Sequence, residues 1–160
     1  MVQTSNIWNQ TKNLLIVYVY KNQEDFDQFK VMIYDAIENS NVKELKVFVL
    51  TSTNKKEIVK YSLFNYFSEN DISIFGKIKK KNNIIGDDNL EGLKKSHFDT
   101  LISFGTPSLK VLKWMKDFSI KNRVSVNCEN KTFFELNLKN QSDFIGEMIN
   151  FAVSTLKKIG

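Results

Sequence analysis

The chain has 160 residues, 42% of them hydrophobic and 26% charged, which suits one globular domain and excludes a disordered, collagen-like or disulfide-scaffolded chain. Its net charge is +5, from 23 basic and 18 acidic side chains, yet Arg123 is the only arginine. Nucleic-acid readers rely on arginine for two-pronged contacts to phosphate and guanine, so a lysine-based excess argues for a solvated surface and against a nucleic-acid partner.

A single cysteine, Cys128, allows no internal disulfide and fits a reduced, cytoplasmic setting. No run reaches the roughly 18–20 apolar residues that span a bilayer. Residues 1–13 are polar and lack the apolar stretch of a secretory signal. The chain therefore divides into a polar N-terminal segment and a single domain over 14–160.

In chain order, Leu14-Leu15-Ile16-Val17-Tyr18-Val19-Tyr20 is continuously apolar and has no period of two, as expected of a strand buried on both faces. Phe26, Phe29, Ile33, Ala36 and Ile37 follow at helical spacing, with Asp25 and Asp27 at the favourable N-terminal end. Leu45-Lys46-Val47-Phe48-Val49-Leu50 is a second strand. Val59, Leu63, Phe64 and Phe67 suggest a short helix, and Ile72-Ser73-Ile74-Phe75 a third strand. Residues 77–96 read as a surface loop that carries Lys77, Lys79, Lys80 and Lys81.

Thr100-Leu101-Ile102-Ser103-Phe104 is the next strand, extendable to Phe98. A helix is then expected with Thr106 as its cap, Pro107 in its first turn, and Leu109, Leu112, Met115 and Phe118 on its buried face. Residues 123–127 form a fifth strand, and 133–138 alternate like a half-exposed edge strand. A final helix over about 142–158 carries an apolar stripe, with Ser142 as its cap. The order β-α-β-α-β-loop-β-α-β-β-α predicts an α/β fold of three layers, α/β/α. Its sheet is mostly parallel, with five to six strands and the last at an edge.

Open parallel sheets bind ligands beyond the carboxyl ends of their strands. That rim should carry the strand ends Tyr20–Asn22, Thr51–Asn54, Ser103–Ser108 and Asn127–Glu129, with Thr51, Ser52, Thr53, Asn54, Gly105, Thr106, Ser108 and Asn127 as the candidate ligand-binding residues. A glycine turn at a helix start, with hydroxyls beside it, can hold a phosphate. The same residues also make an ordinary turn, cap and first helical turn, with no ligand involved. No dinucleotide or P-loop glycine pattern is present, so no cofactor is expected. His97 and Asp99 precede their strand and belong to the opposite rim. A Cys128–His97 pair, a serine–histidine pair and a metal site are accordingly not expected, and no catalytic residue is assigned.

Several stretches carry a resemblance. The first strand and its helix, residues 67–79 (Phe-Ser-Glu-Asn-Asp-Ile-Ser-Ile-Phe-Gly-Lys-Ile-Lys), Phe98-Asp99-Thr100-Leu101-Ile102-Ser103 and Asn122-Arg123-Val124-Ser125-Val126 together resemble an uncharacterised bacterial α/β family, a domain of unknown function. That resemblance implies the fold and no activity. Phe98-Asp99-Thr100-Leu101-Ile102, the following helix and Arg123 are also faintly similar to one half of heptosyltransferase-type glycosyltransferases. Those enzymes work between two domains, and this chain has length for one, so that likeness too bears on fold alone.

The expected function is a non-enzymatic binding or interaction module. The alternative is a small enzyme or sensor that takes a phosphorylated or nucleotide-like ligand at the carboxyl rim. The edge strand permits self-pairing into a homodimer. The run of lysines at 77–81 has no interleaved aromatic for base stacking and reads as a solvated loop.

Overall fold

The long apolar run is the centre of the molecule. In the computed structural model, which describes residues 6–51, 61, 64–68, 71–72, 95–128 and 132–160, this run is strand β1 (Asn13–Val19). Its side chains alternate between two cores. Leu14, Ile16 and Tyr18 enter one, Leu15 and Val17 the other, and none has more than 1% of its surface exposed. Two-sided burial is why the run shows no period of two.

β1 pairs in parallel with β2 (Glu44–Leu50) on one side and β4 (His97–Phe104) on the other, with Leu14 opposite Leu45 and Thr100. Adding β3 (Asn65–Phe67), β5 (Ser119–Val126) and β6 (Leu136–Leu138) gives a six-stranded, all-parallel sheet in the order β3-β2-β1-β4-β5-β6. Helices cover both faces, so the expected three-layer α/β/α fold is present, with the last strand at the sheet edge.

Helix α2 (Gln23–Glu38) starts where Asn22 accepts a hydrogen bond from the Asp25 amide at 2.8 Å, with Glu24 and Asp25 in its first turn. It buries Phe26, Phe29 and Ile33, and stops where the Ser40 hydroxyl donates to the Ile37 carbonyl. Helix α4 (Ile145–Leu156) lies beside it and buries Ile145, Met148, Ile149, Ala152 and Leu156. Tyr18 stacks on Phe29 with ring centroids 4.3 Å apart beneath these helices. Helix α3 (Leu109–Met115) covers the other face, where Trp114 sits 5.3 Å from Phe48 and 5.0 Å from Phe118. Within the polar N-terminal segment, α1 (Ile7–Gln10) buries Ile7 and Trp8, and the Ile7 amide donates to the Ile159 carbonyl at 2.8 Å.

Three local expectations are corrected. Asn65, Tyr66 and Phe67 are strand β3, not the end of a helix, because they pair with Phe48, Val49 and Leu50 along the open edge of β2. Tyr66, fully buried there, is a residue type that suits a strand. Of the strand expected over 72–75 only Ile72 is described, as an isolated bridge, and residues 73–75 lie outside the described residues. The cap of α3 is Ser108, whose hydroxyl accepts from the Val111 amide at 3.4 Å, so Thr106 and Pro107 precede the helix. α4 begins at Ile145, later than foreseen, because the Ser142 hydroxyl is spent on the Phe144 amide two residues on.

The core assignment is testable by urea denaturation. Phe29→Ala should cost about 3–5 kcal/mol through lost burial and a residual cavity. Val31, which is 65% exposed on the same helix, should cost no more than about 0.5 kcal/mol as Val31→Ala. Similar losses at both positions would contradict the burial pattern.

Candidate functional site

The chain leaves neighbouring strands β1 and β4 in opposite directions. From β1 it passes through α2 on one face toward β2; from β4 it passes through α3 on the other face toward β5. The connections part at the carboxyl ends of these two strands, and a crevice of about 220 Å³ opens there. That is below the roughly 300–1,000 Å³ typical of drug-sized sites, so its capacity is one small molecule.

Gly105 shapes one wall. It follows β4 with a φ of +102°, and a Cβ there would lie 2.9 Å from Val19 Cβ. Both the backbone and the space require glycine. Asn127 shapes another wall, leaving β5 at a φ of 53°. Its side-chain oxygen accepts from the Asn140 amide at 2.8 Å, and its Nδ2 lies 3.3 Å from the Ser142 carbonyl and 3.5 Å from Asp143 Oδ1. Its backbone amide donates to the Leu138 carbonyl. One asparagine thus ties the end of β5 to the end of β6 and to the turn before α4.

The polar lining is mixed in sign. Lys21 comes from the β1–α2 turn, Asp25 from the first turn of α2, Asp143 from the turn before α4, and Thr106 from the turn after β4. Phe104, Ile145 and Met148 contribute apolar surface. The buried Tyr18 hydroxyl donates to Asp25 Oδ2. Burial first, then the bond to Asp25 and its charge, hold the phenol well above its ordinary range, so Tyr18 remains a donor. Among the described residues no ion pair joins Lys21 to either carboxylate.

Of the residues anticipated from sequence, Gly105, Thr106 and Asn127 come together here. Ser108 caps α3 and does not line the crevice. Thr51 directly follows β2, is 4% exposed, and has no hydrogen-bond partner for its hydroxyl among the described residues. Ser52, Thr53 and Asn54 lie outside the described residues, as do 77–81. Lys21 falls within the rim segment Tyr20–Asn22, whereas nothing in the sequence marks Asp25 and Asp143 as site residues. Both look in sequence like ordinary helix-start acids.

His97 begins β4 on the opposite rim, as expected. It does meet a serine there: Nδ1 is 2.9 Å from Ser119 Oγ on the neighbouring strand, and Nε2 is 3.4 Å from Asp99 Oδ1. Asp99 Oδ2 accepts from the Lys12 and Asn13 amides, both at 2.9 Å, fastening the segment before β1 to β4. The described residues contain no cluster of three or more metal-ligating side chains, and none of their helices is long and apolar enough to cross a membrane. The sequence matches no protein-family model, and no curated protein is significantly similar to it.

Gly105→Ala should lose about 1–3 kcal/mol from backbone strain, with further loss from the Val19 contact, read as a lowered urea midpoint; an unchanged midpoint would mean the turn does not need glycine. Asp99 carries a pH signature. Desolvation pushes its carboxyl up, but the Asn13 and Lys12 amides and His97 outweigh this and hold it below the ordinary range. A lowered folded-state value adds stability above the unfolded value of about 3.9, and that stability disappears as pH falls through the folded value. Asp99→Asn should therefore flatten the dependence of the urea midpoint on pH between about 5 and 2. Parallel wild-type and variant curves would refute the assignment.

Proposed function

We propose that this protein is a non-enzymatic binding module that holds one small polar molecule in the crevice at the carboxyl ends of β1 and β4. The observation that carries this reading is the crevice itself, at the point where connections part, with Lys21, Asp25 and Asp143 around it and no ion pair joining them among the described residues. Two carboxylates outnumber one ammonium, which favours a ligand that presents an amine or hydroxyl donor to Asp25 and Asp143. The fixed conformations at Gly105 and Asn127 give it walls before any ligand arrives, which limits the ordering cost of binding.

The non-enzymatic part rests on where the reactive residue types lie. Cys128 is buried in the α3-side core, and His97 sits on the rim opposite the crevice. The protein acts as a cytoplasmic ligand-binding unit in this reading. The alternative, a phosphorylated ligand, draws on Lys21 and Thr106 beside the Cβ-free Gly105.

Thermal denaturation with millimolar small amines, amino acids, inorganic phosphate and nucleotides separates the two. A ligand at about 100 times its dissociation constant adds about 2.7 kcal/mol and raises Tm by several degrees. Amine-bearing compounds should raise Tm in the wild type and not in Asp143→Asn. A shift from phosphate or nucleotides that is lost in Thr106→Ala would install the alternative. No shift from any of these compounds would remove the small-ligand reading.

A further inference from the structure

A second concave surface lies on the α3 face, away from the crevice. It is a groove of about 420 Å³ between α3 and β5, bordered by Leu109, Lys113, Lys116, Arg123 and Phe133. No carboxylate is among its described lining residues.

Three features of this groove exceed what folding needs. Leu109 opens α3 and is 75% exposed, although Leu112, one turn on, is buried. The only arginine of the chain is here. Its guanidinium lies 4.4 Å over the Phe133 ring and donates to the Lys116 carbonyl at 3.3 Å. These two contacts fix the plane of the guanidinium and use one of its five N–H donors, leaving others for a carboxylate fork. Lys113 and Lys116 also suit the C-terminal end of a helix, which accounts for them structurally. That account does not reach Leu109 or the arginine laid flat on an aromatic ring.

We propose that this groove docks an acidic, apolar segment of a partner protein. A carboxylate of the segment would be held by Arg123 with support from Lys116, and an apolar side chain would cover Leu109. Charge complementarity selects the partner: among the described residues the lining is cationic and apolar, with Lys116 and Arg123 beside Leu109, so an acidic segment with bulky aliphatic side chains matches it in both respects. A nucleic acid is the poorer match, because the guanidinium already occupies the ring face of Phe133 that a base would stack on.

The test is fluorescence anisotropy with a fluorescein-labelled peptide of alternating leucine and glutamate, titrated with the full chain. Lys116→Glu should weaken binding about tenfold, and Leu109→Ser about fivefold. Arg123→Lys, which keeps the charge and loses the fork, should also weaken it. Lys158→Glu, the same charge change beyond α4 on the other face of the sheet, should leave affinity within about twofold. Leu109 is exposed, so Leu109→Ser tests the groove without disturbing the core. Equal losses from Lys116→Glu and Lys158→Glu would reduce the effect to net charge and overturn the proposal. So would unaltered binding of a peptide with serine in place of leucine, tighter binding of an oligothymidylate or of phosphatidylserine vesicles than of the peptide, or absence of saturable binding.

Discussion

Strand β1 has water on neither side. Leu14, Ile16 and Tyr18 need a layer above the sheet, Leu15 and Val17 need one below, and both backbone edges need partners. At about 1.5–3 kcal/mol for each large apolar side chain, exposing either face would forfeit a large share of the roughly 5–15 kcal/mol of net stability that a single domain holds. The rest of the architecture answers that requirement. α2 and α4 supply one cover, α3 the other, and β2 and β4 occupy the two edges. Parallel pairing follows, because each neighbour is reached through a crossover long enough to lay a helix on a face.

The same requirement creates the crevice. If both neighbours of β1 were reached over one face, the carboxyl ends would be roofed by a single layer. Because α2 and α3 lie on opposite faces, the connections that leave the paired ends of β1 and β4 diverge and leave a gap above them. Tyr18 links the two levels of organisation: its ring is part of the core stack with Phe29, and its hydroxyl fixes Asp25 at the crevice floor. The groove on the α3 face arises differently, from the outer strands. Arg123 is on β5, close enough to the edge for its guanidinium to reach out over Phe133.

What was legible in the sequence was whatever a single element decides by itself. The unbroken apolar run of β1, the helical spacing of Phe26, Phe29 and Ile33, and the stripe on α4 each name their own burial. Gly105, Thr106 and Asn127 were legible as rim residues because their place depends only on strand direction. What could not be read were choices made by distant partners. Asn65, Tyr66 and Phe67 are a strand because β2 offers an open edge. Asp25 and Asp143 share a crevice only because α2 and α4 are neighbours. Ser108 and Thr106 are both acceptable caps by residue type, and the backbone after Gly105 chooses between them.

The pairing of β1 with β4 also sets a condition on how the chain acquires its shape. Leu14 lies opposite Leu45, some thirty positions on, but its other neighbour, Thr100, is more than eighty positions away. During N-to-C synthesis, one flank of the most apolar strand must wait for most of the polypeptide to emerge before it is sealed. Such late, long-range closure makes for slow folding and an interval in which the ribbon can adhere to other chains. Growth temperature and chaperone supply should therefore govern the yield of active material more strongly than the final stability of the folded domain does.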